Sequence, residues 1–363
     1  LVCSGDVLLL FNPLQIDFYG KGAAALSIKE PAEIGKNHGV YRVDSEGNVG
    51  GFLHKKTVEQ LQKLGASDDQ GNVDIDTGAV IFNSEMLQAL YQLVDTKEKF
   101  AAYVNESTRL SFYADFLYPL ASDSTLEQYY KETPEGDFTP ELEQCRTELW
   151  SVLHPYQMKL IRMSPAAFIH FGTTKELREL MTERMDEFYY LGWTSNINTN
   201  REEADFAASN SYVSPNAEIG KGSYLEDCMI RNKSQIGEEC VISGVTLDGQ
   251  TIPAHTVLHG LKQQNGKFVV RMYGVSDNPK EALLFGKTLP MPLWEAAIYP
   301  VCDSMEEAVH QTLEAWREGF PIREDAISLK DSFNQADLSA LLPWQEKVSD
   351  KVELEVLIPK TDV

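Results

Sequence analysis

The sequence predicts an α/β region over residues 1–205, a left-handed parallel β-helix over 206–265 and a small α/β appendage over 266–363. Three observations lead to this prediction. Strand and helix signals alternate along roughly the first 120 residues. A six-residue spacing of aliphatic side chains begins near residue 213. A strand pattern and a capped helix follow that spacing.

Short apolar runs bounded by turn residues indicate the strands of the first region. Val7–Phe11 is a continuous apolar run, which predicts a strand buried on both faces. The turn residues Asp44–Asn48 separate two strand patterns and predict a hairpin. Residues 120–190 have mainly helical signals. Helices are predicted to begin at the capping box Thr57–Gln60, at Ser84, at the capping box Ser124–Glu127 and at Thr139–Pro140.

Aliphatic residues six positions apart characterise the second region. They are Val213, Ile219, Leu225, Ile230, Ile236, Ile242, Ile252 and Leu258. In a parallel β-helix each such segment forms one flat side, and its aliphatic residue points inward onto the coils above and below. Ordinary hairpins would show a period of two, with turns at both ends. We therefore expect these side chains to form a stacked core.

Composition excludes several classes of function. The net charge of −23 disfavours broad contact with nucleic acid or anionic lipid. No apolar run reaches the ~18–20 residues that span a membrane. The five cysteines are scattered and no Cys-x-x-Cys occurs, which favours a reducing cytoplasm. The chain starts without Met and directly before a strand pattern, so we expect further residues upstream.

Two groups of polar residues in the first region are candidates for chemistry. Asp6 directly precedes a predicted strand, where a carboxylate can hold a divalent metal against phosphates. His54, Lys55 and Lys56 lie between a strand and a capped helix, so cations and the helix N-terminus converge as in an anion site. For Asp6 the alternative is a solvated turn aspartate, which position alone favours and the tight Ser-Gly-Asp turn favours less. For the lysines a solvated pair is as well supported as an anion site.

Further candidates are supported by single observations. Asp74 and Asp76 share one face of a strand, where Asp76 could bind metal or ribose and Asp74 is more simply a polar strand entry. Asp115 lies among apolar residues and needs a partner, whether a metal, a cation or a helix start. Lys21 lies between two glycines, in a loop that could approach a ligand. His255 and His259 lie in the β-helix region, where surface histidines are common but acyltransferases use a histidine base.

Several segments resemble one known family. Gly39–Asp44 with Phe52–Lys55, and Asp76–Phe82, resemble motifs of sugar nucleotidyltransferases, many of which join an α/β domain to a β-helix. Other segments are similar to the fucose-1-phosphate guanylyltransferase family in particular: Ser4–Leu8, Phe52–Thr57, Leu293–Pro300 and Ile327–Asp337. The resemblance extends over essentially the whole chain. It implies a nucleotidyltransferase-type mixed sheet with helices in the first region.

The resemblance also implies a reaction and its residues. GTP and L-fucose 1-phosphate would give GDP-L-fucose and pyrophosphate, with Mg²⁺ or Mn²⁺ as cofactor. Asp6 matches the metal-holding aspartate and Lys55 matches the lysine on the sugar phosphate. Asp76 would be the second acidic partner, with Asp115 as the weaker candidate. Lys21, His54 and Lys56 would lie near the substrates. Lys56 stands where many relatives have proline.

One departure from the family pattern concerns the nucleotide. No Gly-rich loop with a basic residue occurs near the start of the chain, so we expect that loop upstream of Leu1. Some family members continue into a sugar kinase domain, and homo-oligomers are compatible with the pattern. The alternatives are a UDP- or ADP-sugar enzyme, a hexapeptide acyltransferase, and a non-catalytic sugar-nucleotide-binding module.

Overall fold

The computed structural model describes residues 1–16, 18, 20–105, 107–201 and 204–357. The chain divides into two compact units, Leu1–His170 and Phe171–Val363. The boundaries expected at 205 and 265 stay predictions. Within the described ranges, no helix combines the length and apolar character that crossing a membrane requires.

The first unit combines strands with short helices. Its strands are β1 (Val2–Cys3), β2 (Val7–Phe11), β3 (Gly22–Pro31), β4 (Gly39–Val43), β5 (Val49–His54), β6 (Asn72–Phe82), β7 (Gln157–Arg162) and β8 (Ala166–His170). Its α-helices are α1 (Ala32–Gly35), α2 (Val58–Lys63), α3 (Ser84–Tyr91), α4 (Lys97–Tyr103), α5 (Leu126–Tyr129) and α6 (Pro140–Leu153). A 3-10 turn, Pro13–Gln15, follows β2, and a π-helical turn, Phe112–Leu117, leads directly into a second 3-10 turn, Tyr118–Leu120.

A mixed sheet forms the centre of this unit, in the order β5-β4-β6-β3-β7 with β1 against β6. The β3–β7 pair is parallel, and the β3–β6, β4–β6 and β4–β5 pairs are antiparallel. Apolar cores cover both faces: one contains Tyr41, Val80 and Met158, and the other contains Leu26 and Ile75. The hairpin predicted around Asp44–Asn48 is confirmed by β4 and β5.

The prediction that Val7–Phe11 is buried on both faces is wrong. The segment is a strand, but β2 pairs with β8 in a separate antiparallel ribbon and is only half-buried along its length. Leu9 and Phe11, on one face of β2, pack against the core. Only one face of this apolar run therefore packs against the core. A continuous hydrophobic pattern does not distinguish this arrangement from burial on both faces.

The helix predictions agree with the structure in most places. Thr57 and Gln60 form a reciprocal capping box at the start of α2. Thr139 caps α6, whose apolar residues Leu142, Cys145, Leu149 and Leu153 are buried. The box at Ser124 is wrong by one residue, because Thr125 accepts the capping bond and the helix is a single turn. Residues 120–190 are also less helical than predicted, since β7 and β8 lie among them.

The second unit contains many short strands and several helices. Its strands are β9 (Asn196–Thr199), β10 (Ala207–Val213), β11 (Glu218–Ile219), β12 (Tyr224–Glu226), β13 (Met229–Ile230), β14 (Gln235–Ile236), β15 (Val241–Ser243), β16 (Thr246–Leu247), β17 (Thr251–Ile252), β18 (Thr256–Lys262), β19 (Phe268–Gly274), β20 (Leu283–Leu284), β21 (Lys287–Thr288), β22 (Tyr299–Cys302) and β23 (Ala326–Ile327). Its helices are α7 (Thr174–Thr182), α8 (Met305–Arg317), α9 (Leu329–Asn334) and α10 (Leu341–Leu357), with 3-10 turns at Met185–Leu191 and Leu338–Ala340.

Parallel coils stack in this unit along three lines of strands. The lines are β10-β12-β15-β18, β10-β13-β16 and β11-β14-β17. The predicted aliphatic residues are buried in the stacked core, except Ile219, which is half-buried against it. The repeat therefore predicted the inward side chains correctly.

The last part of the unit extends this sheet. The strand pattern that follows the six-residue spacing corresponds to β19, which pairs antiparallel with β18. Ser304 caps α8, as predicted, and Gly319 follows the end of the helix with a φ of 86°. Side chains of α8, including Val309 and Leu313, join the same core as the coils.

Candidate functional site

Asp76 lies at the centre of a polar network in the first unit. Tyr41 donates its hydroxyl to Oδ1 of Asp76 at 2.7 Å, and the backbone N–H of Gly78 donates to the same oxygen at 2.9 Å. Burial raises the pKa of Asp76, although its hydrogen bonds, including one with Tyr113, lower the pKa in part. Asp76 is therefore held by donors from β4, β6 and the π-helical turn.

An aromatic wall adjoins this network. The rings of Phe52 and Tyr113 stack with centroids 5.3 Å apart and an interplanar angle of 7°. Phe52 also stacks on His54, two residues along β5, with centroids 6.3 Å apart. Gly39 makes room for this ring, since a Cβ there would lie 2.5 Å from Phe52. The wall is therefore built from alternate residues of β5 and one residue of the π-helical turn.

Asp6 is connected to the network of Asp76 through Ser4 and Gly78. The N–H of Ser4 donates to the carbonyl of Gly78 at 2.7 Å, and the Ser4 hydroxyl donates to Oδ1 of Asp6 at 2.5 Å. Nε2 of His170 lies 3.6 Å from Oδ2 of Asp6. The Asp6 side chain is 49% exposed, so its carboxylate faces solvent. Burial raises the pKa of Tyr113, with further contributions from the charges of Asp76 and Asp6.

Lys55 lies at the end of β5 in an unusual backbone conformation. Its φ is 47°, in the left-handed region, and its N–H donates to the carbonyl of His38 at 3.2 Å. The Lys55 side chain is exposed and has no ion-pair partner among the described residues. Partial desolvation of the ring, then the nearby Lys55 ammonium, lowers the pKa of His54. His54 is therefore neutral near pH 7, beside two lysine ammonium groups.

The residues present fit a single divalent cation only in part. The described residues contain no cluster of three or more His, Cys, Asp or Glu side chains arranged to hold a metal. Mg²⁺ needs only one or two protein carboxylates when substrate phosphates supply other oxygens. Asp6 suits this role because its carboxylate is exposed. Asp76 suits it less, because it is 7% exposed and hydrogen-bonded to Tyr41 and Gly78.

Asp115 lies outside this network, in a fully buried ion pair. Nε of Arg146 donates to its Oδ1 at 2.7 Å, and the N–H of Ser111 donates to Oδ2 at 2.6 Å. The partner required by an apolar setting is thus a cation together with a helix start. A structural role accounts for every contact of Asp115, whereas substrate contact at this residue stays an untested prediction.

The remaining candidates are placed as follows. Asp74 binds Arg162 through both carboxylate oxygens, at 2.6 and 2.9 Å, which agrees with its interpretation as a polar strand entry. Lys21 is exposed immediately before β3. In the second unit, His255 is exposed beside Glu239, at 3.3 Å, and His259 contacts Arg271.

Sequence reasoning missed several members of the site. They are Ser4, His38, Tyr41, Phe52, Tyr113 and His170. His38 lies edge-on to His170, with centroids 5.6 Å apart. The strand period gave one usable signal, because Phe52 and His54 alternate onto one face. Tyr113 and His170 come from distant segments, and no local pattern relates them to Asp76.

Comparison with known proteins shows one family. The model of the fucose pyrophosphorylase domain matches residues 1–291. A human protein named fucose-1-phosphate guanylyltransferase is 22% identical, over 98% of this chain and 70% of its own length. A mouse protein with the same name is also 22% identical, over 96% of this chain and 71% of its own length. The matched residues include the whole network around Asp76.

Proposed function

The chain belongs to the fucose pyrophosphorylase domain family, and on this basis we propose that it transfers a guanylyl group from GTP to L-fucose 1-phosphate. An oxygen of the sugar phosphate forms a bond to the α-phosphorus of GTP. The bond between that phosphorus and the oxygen that bridges it to the β-phosphate breaks. The products are GDP-L-fucose and pyrophosphate. The observation that carries the proposal is the family match across the segment that contains Asp6, Lys55 and Asp76.

The proposed chemistry needs no strong base. A sugar phosphate is already ionised at neutral pH, so the protein has to align the reactants and balance their charge. Lys55 would contact the sugar phosphate with its ammonium, which has no ion-pair partner among the described residues, and the bond from its backbone N–H to His38 holds the backbone there. Lys56 would add positive charge nearby. His54, whose pKa is lowered, would contact the substrate as a neutral ring.

The aromatic wall would bind the less polar face of the sugar. Phe52 and Tyr113 offer parallel rings beside His54. Asp76 would act through Tyr41 and Tyr113, by holding their hydroxyl groups in place, rather than by direct metal ligation. Asp6 would hold a divalent cation, which when bound would neutralise phosphate charge. Lys21 stays a candidate for a second phosphate contact.

A pyrophosphate-release assay on the complete gene product tests this proposal. GTP, UTP and ATP are compared as donors to L-fucose 1-phosphate, and we expect turnover mainly with GTP. Preference for UTP or ATP would assign another sugar nucleotide. Binding without pyrophosphate release would favour a non-catalytic module, and acyl transfer from acetyl-CoA would favour an acyltransferase.

Two variants test the site itself. Lys55→Asn removes the ammonium but keeps a residue that tolerates the left-handed backbone, and Asp6→Asn removes the charge at similar size. We expect each to lower kcat/KM by roughly a hundredfold or more, as for loss of one transition-state contact. Lys63→Met, an exposed lysine at the end of α2, is the matched control and should keep full activity. Near-normal turnover in both site variants would refute the residue assignment.

The finer structural and cellular predictions belong to the same proposal. We interpret the parallel coils of the second unit as a left-handed β-helix, on the basis of the six-residue repeat and the three lines of stacked strands. A cytoplasmic location, a following kinase domain and homo-oligomer formation stay predictions.

A further inference from the structure

A cavity of about 390 Å³ lies in the second unit, beside the line of strands that ends in β18. Gly244 and Gly260 line one side of it, and Pro343 and Trp344, in the first turn of α10, line the other. Small-molecule sites have volumes of about 300–1,000 Å³ and mostly apolar walls. The cavity has the size of such a site, and all its lining residues lie in this unit.

The body of the cavity is apolar. Phe268, Met305 and Trp344 contribute large side chains to the lining. Gly244 and Gly260 keep the floor flat, because a Cβ at Gly260 would lie 2.8 Å from Met305 and one at Gly244 would lie 2.9 Å from the carbonyl oxygen of Gly260. The indole N–H of Trp344 is used elsewhere, in a 2.8 Å bond to the carbonyl of Asp227. A ligand therefore meets ring faces and methylene groups.

The lining contains two aspartates and two lysines, and they differ in how they are engaged within the protein. Asp227 is occupied by Asn210 and Gln345, which donate to its two carboxylate oxygens at 2.7 and 2.9 Å. Oδ1 of Asp337 accepts hydrogen bonds from the N–H and the hydroxyl of Ser339. Lys262 and Lys347 also line the cavity, and neither has an ion-pair partner within the described part of the chain. Nζ of Lys347 lies over the Trp344 ring, 5.4 Å from its centroid.

His259 adds a donor. It is the cross-strand neighbour of Arg271, whose guanidinium donates to its Nδ1. Desolvation, then the Arg271 charge, lowers the pKa of His259 to about 3, so the ring is neutral and its proton lies on Nε2. A Cβ at Gly244 would be 3.8 Å from Cδ2 of His259, so this edge of the ring lies toward the lining. His259 lines the cavity together with Gly244, and Nε2–H is the remaining donor of its ring.

We propose that this cavity binds a small organic anion, with an aromatic or other planar apolar body and one carboxylate, sulfonate or phosphate group. Phe268, Met305 and Trp344 enclose the body. Lys262 and Lys347 neutralise the anionic group, and His259 donates to it. The residues proposed for guanylyl transfer all lie in the first unit, so this site is a second one and does not depend on that activity.

Titration of the full chain with 1-anilinonaphthalene-8-sulfonate tests the proposal, because this probe joins aromatic rings to one sulfonate. We expect a saturable fluorescence increase with one site per chain. Lys262→Glu/Lys347→Glu should weaken binding at least tenfold. The matched control is Lys221→Glu/Lys280→Glu, which changes the net charge equally at exposed lysines outside the cavity and should bind normally.

A second variant separates shape from charge. Ala340→Trp places an indole in the lining without changing the charge, and should also abolish the one-site signal. Thermal unfolding checks that each variant is folded, and if the lysine variant fails to fold the Ala340 variant decides. Benzoate and phenyl phosphate then compete with the probe, which identifies the preferred anionic group. Equal binding by the folded cavity variants and the control, or several sites per chain, would overturn the proposal.

Discussion

Replacing Asp115 by Asn tests whether this carboxylate stabilises the fold or contacts substrate. Asp115 and Arg146 are both fully buried, and the substitution leaves the guanidinium without its counter-ion. Arg146 keeps its bonds to the carbonyls of Tyr129 and Glu132, at 3.2 and 2.9 Å, but these groups carry no net charge. Removing one partner of a buried ion pair costs about 3–5 kcal/mol.

The expected change in Tm follows from this cost and from the size of the unit. A unit of about 170 residues loses about 2–4 °C of Tm per kcal/mol, so Asp115→Asn should lower the Tm by about 6–20 °C. The control is Asp123→Asn, which breaks a 2.6 Å pair with Arg42 at side chains that are 52% and 34% exposed. Exposed pairs contribute below about 1 kcal/mol, so the control should melt within about 4 °C of the native protein.

Differential scanning calorimetry gives the Tm values, and kinetics are measured at a temperature where both variants are folded. A structural Asp115 predicts a large loss of stability with a nearly unchanged KM for the sugar phosphate. A variant that melts like the native protein but loses substrate affinity would refute this reasoning and support the substrate role inferred from the family resemblance.

Two further predictions concern acid stability and coil packing. Partial burial opposes the ionisation of Asp44, but hydrogen bonds from two backbone N–H groups, a hydroxyl and an amide lower its pKa from 3.8 to about 2. Above pH 4 the native protein should therefore be more stable than Asp44→Asn. In urea titrations this difference in stability should disappear as the pH falls through about 2. Gly237→Ala should lower the free energy of unfolding by about 1–3 kcal/mol, because the new Cβ would lie 2.4 Å from the backbone nitrogen of Ala254. The control Gly5→Ala should leave stability unchanged, because its Cβ would have nothing within 4 Å. Equal urea midpoints for the two variants would contradict this prediction.

The inward side chains of the coils could be predicted, but their corners could not. Corner residues recur about every 17 positions with positive φ. The lines are Asn210, Asp227 and Gly244, then Gly222, Glu239 and His255, and then Lys233 and Gly249. Gly, Asn, Asp and His favour this conformation, but Glu and Lys do not. At Glu239 and Lys233 the stacked core overrides the local preference, so the corner residues share no common sequence signal.

The candidate site was predictable where its residues follow one strand and hidden where it joins separate segments. Lys55 could be found because the strand end and the helix cap are adjacent in sequence. Asp76 could be found only as a polar residue on a strand, since its donors come from β4 and the π-helical turn. The left-handed φ of Lys55 has no sequence signal either, because lysine rarely adopts it. The left-handed backbone of Lys55, together with its exposed side chain, supports the proposed contact with the anionic substrate.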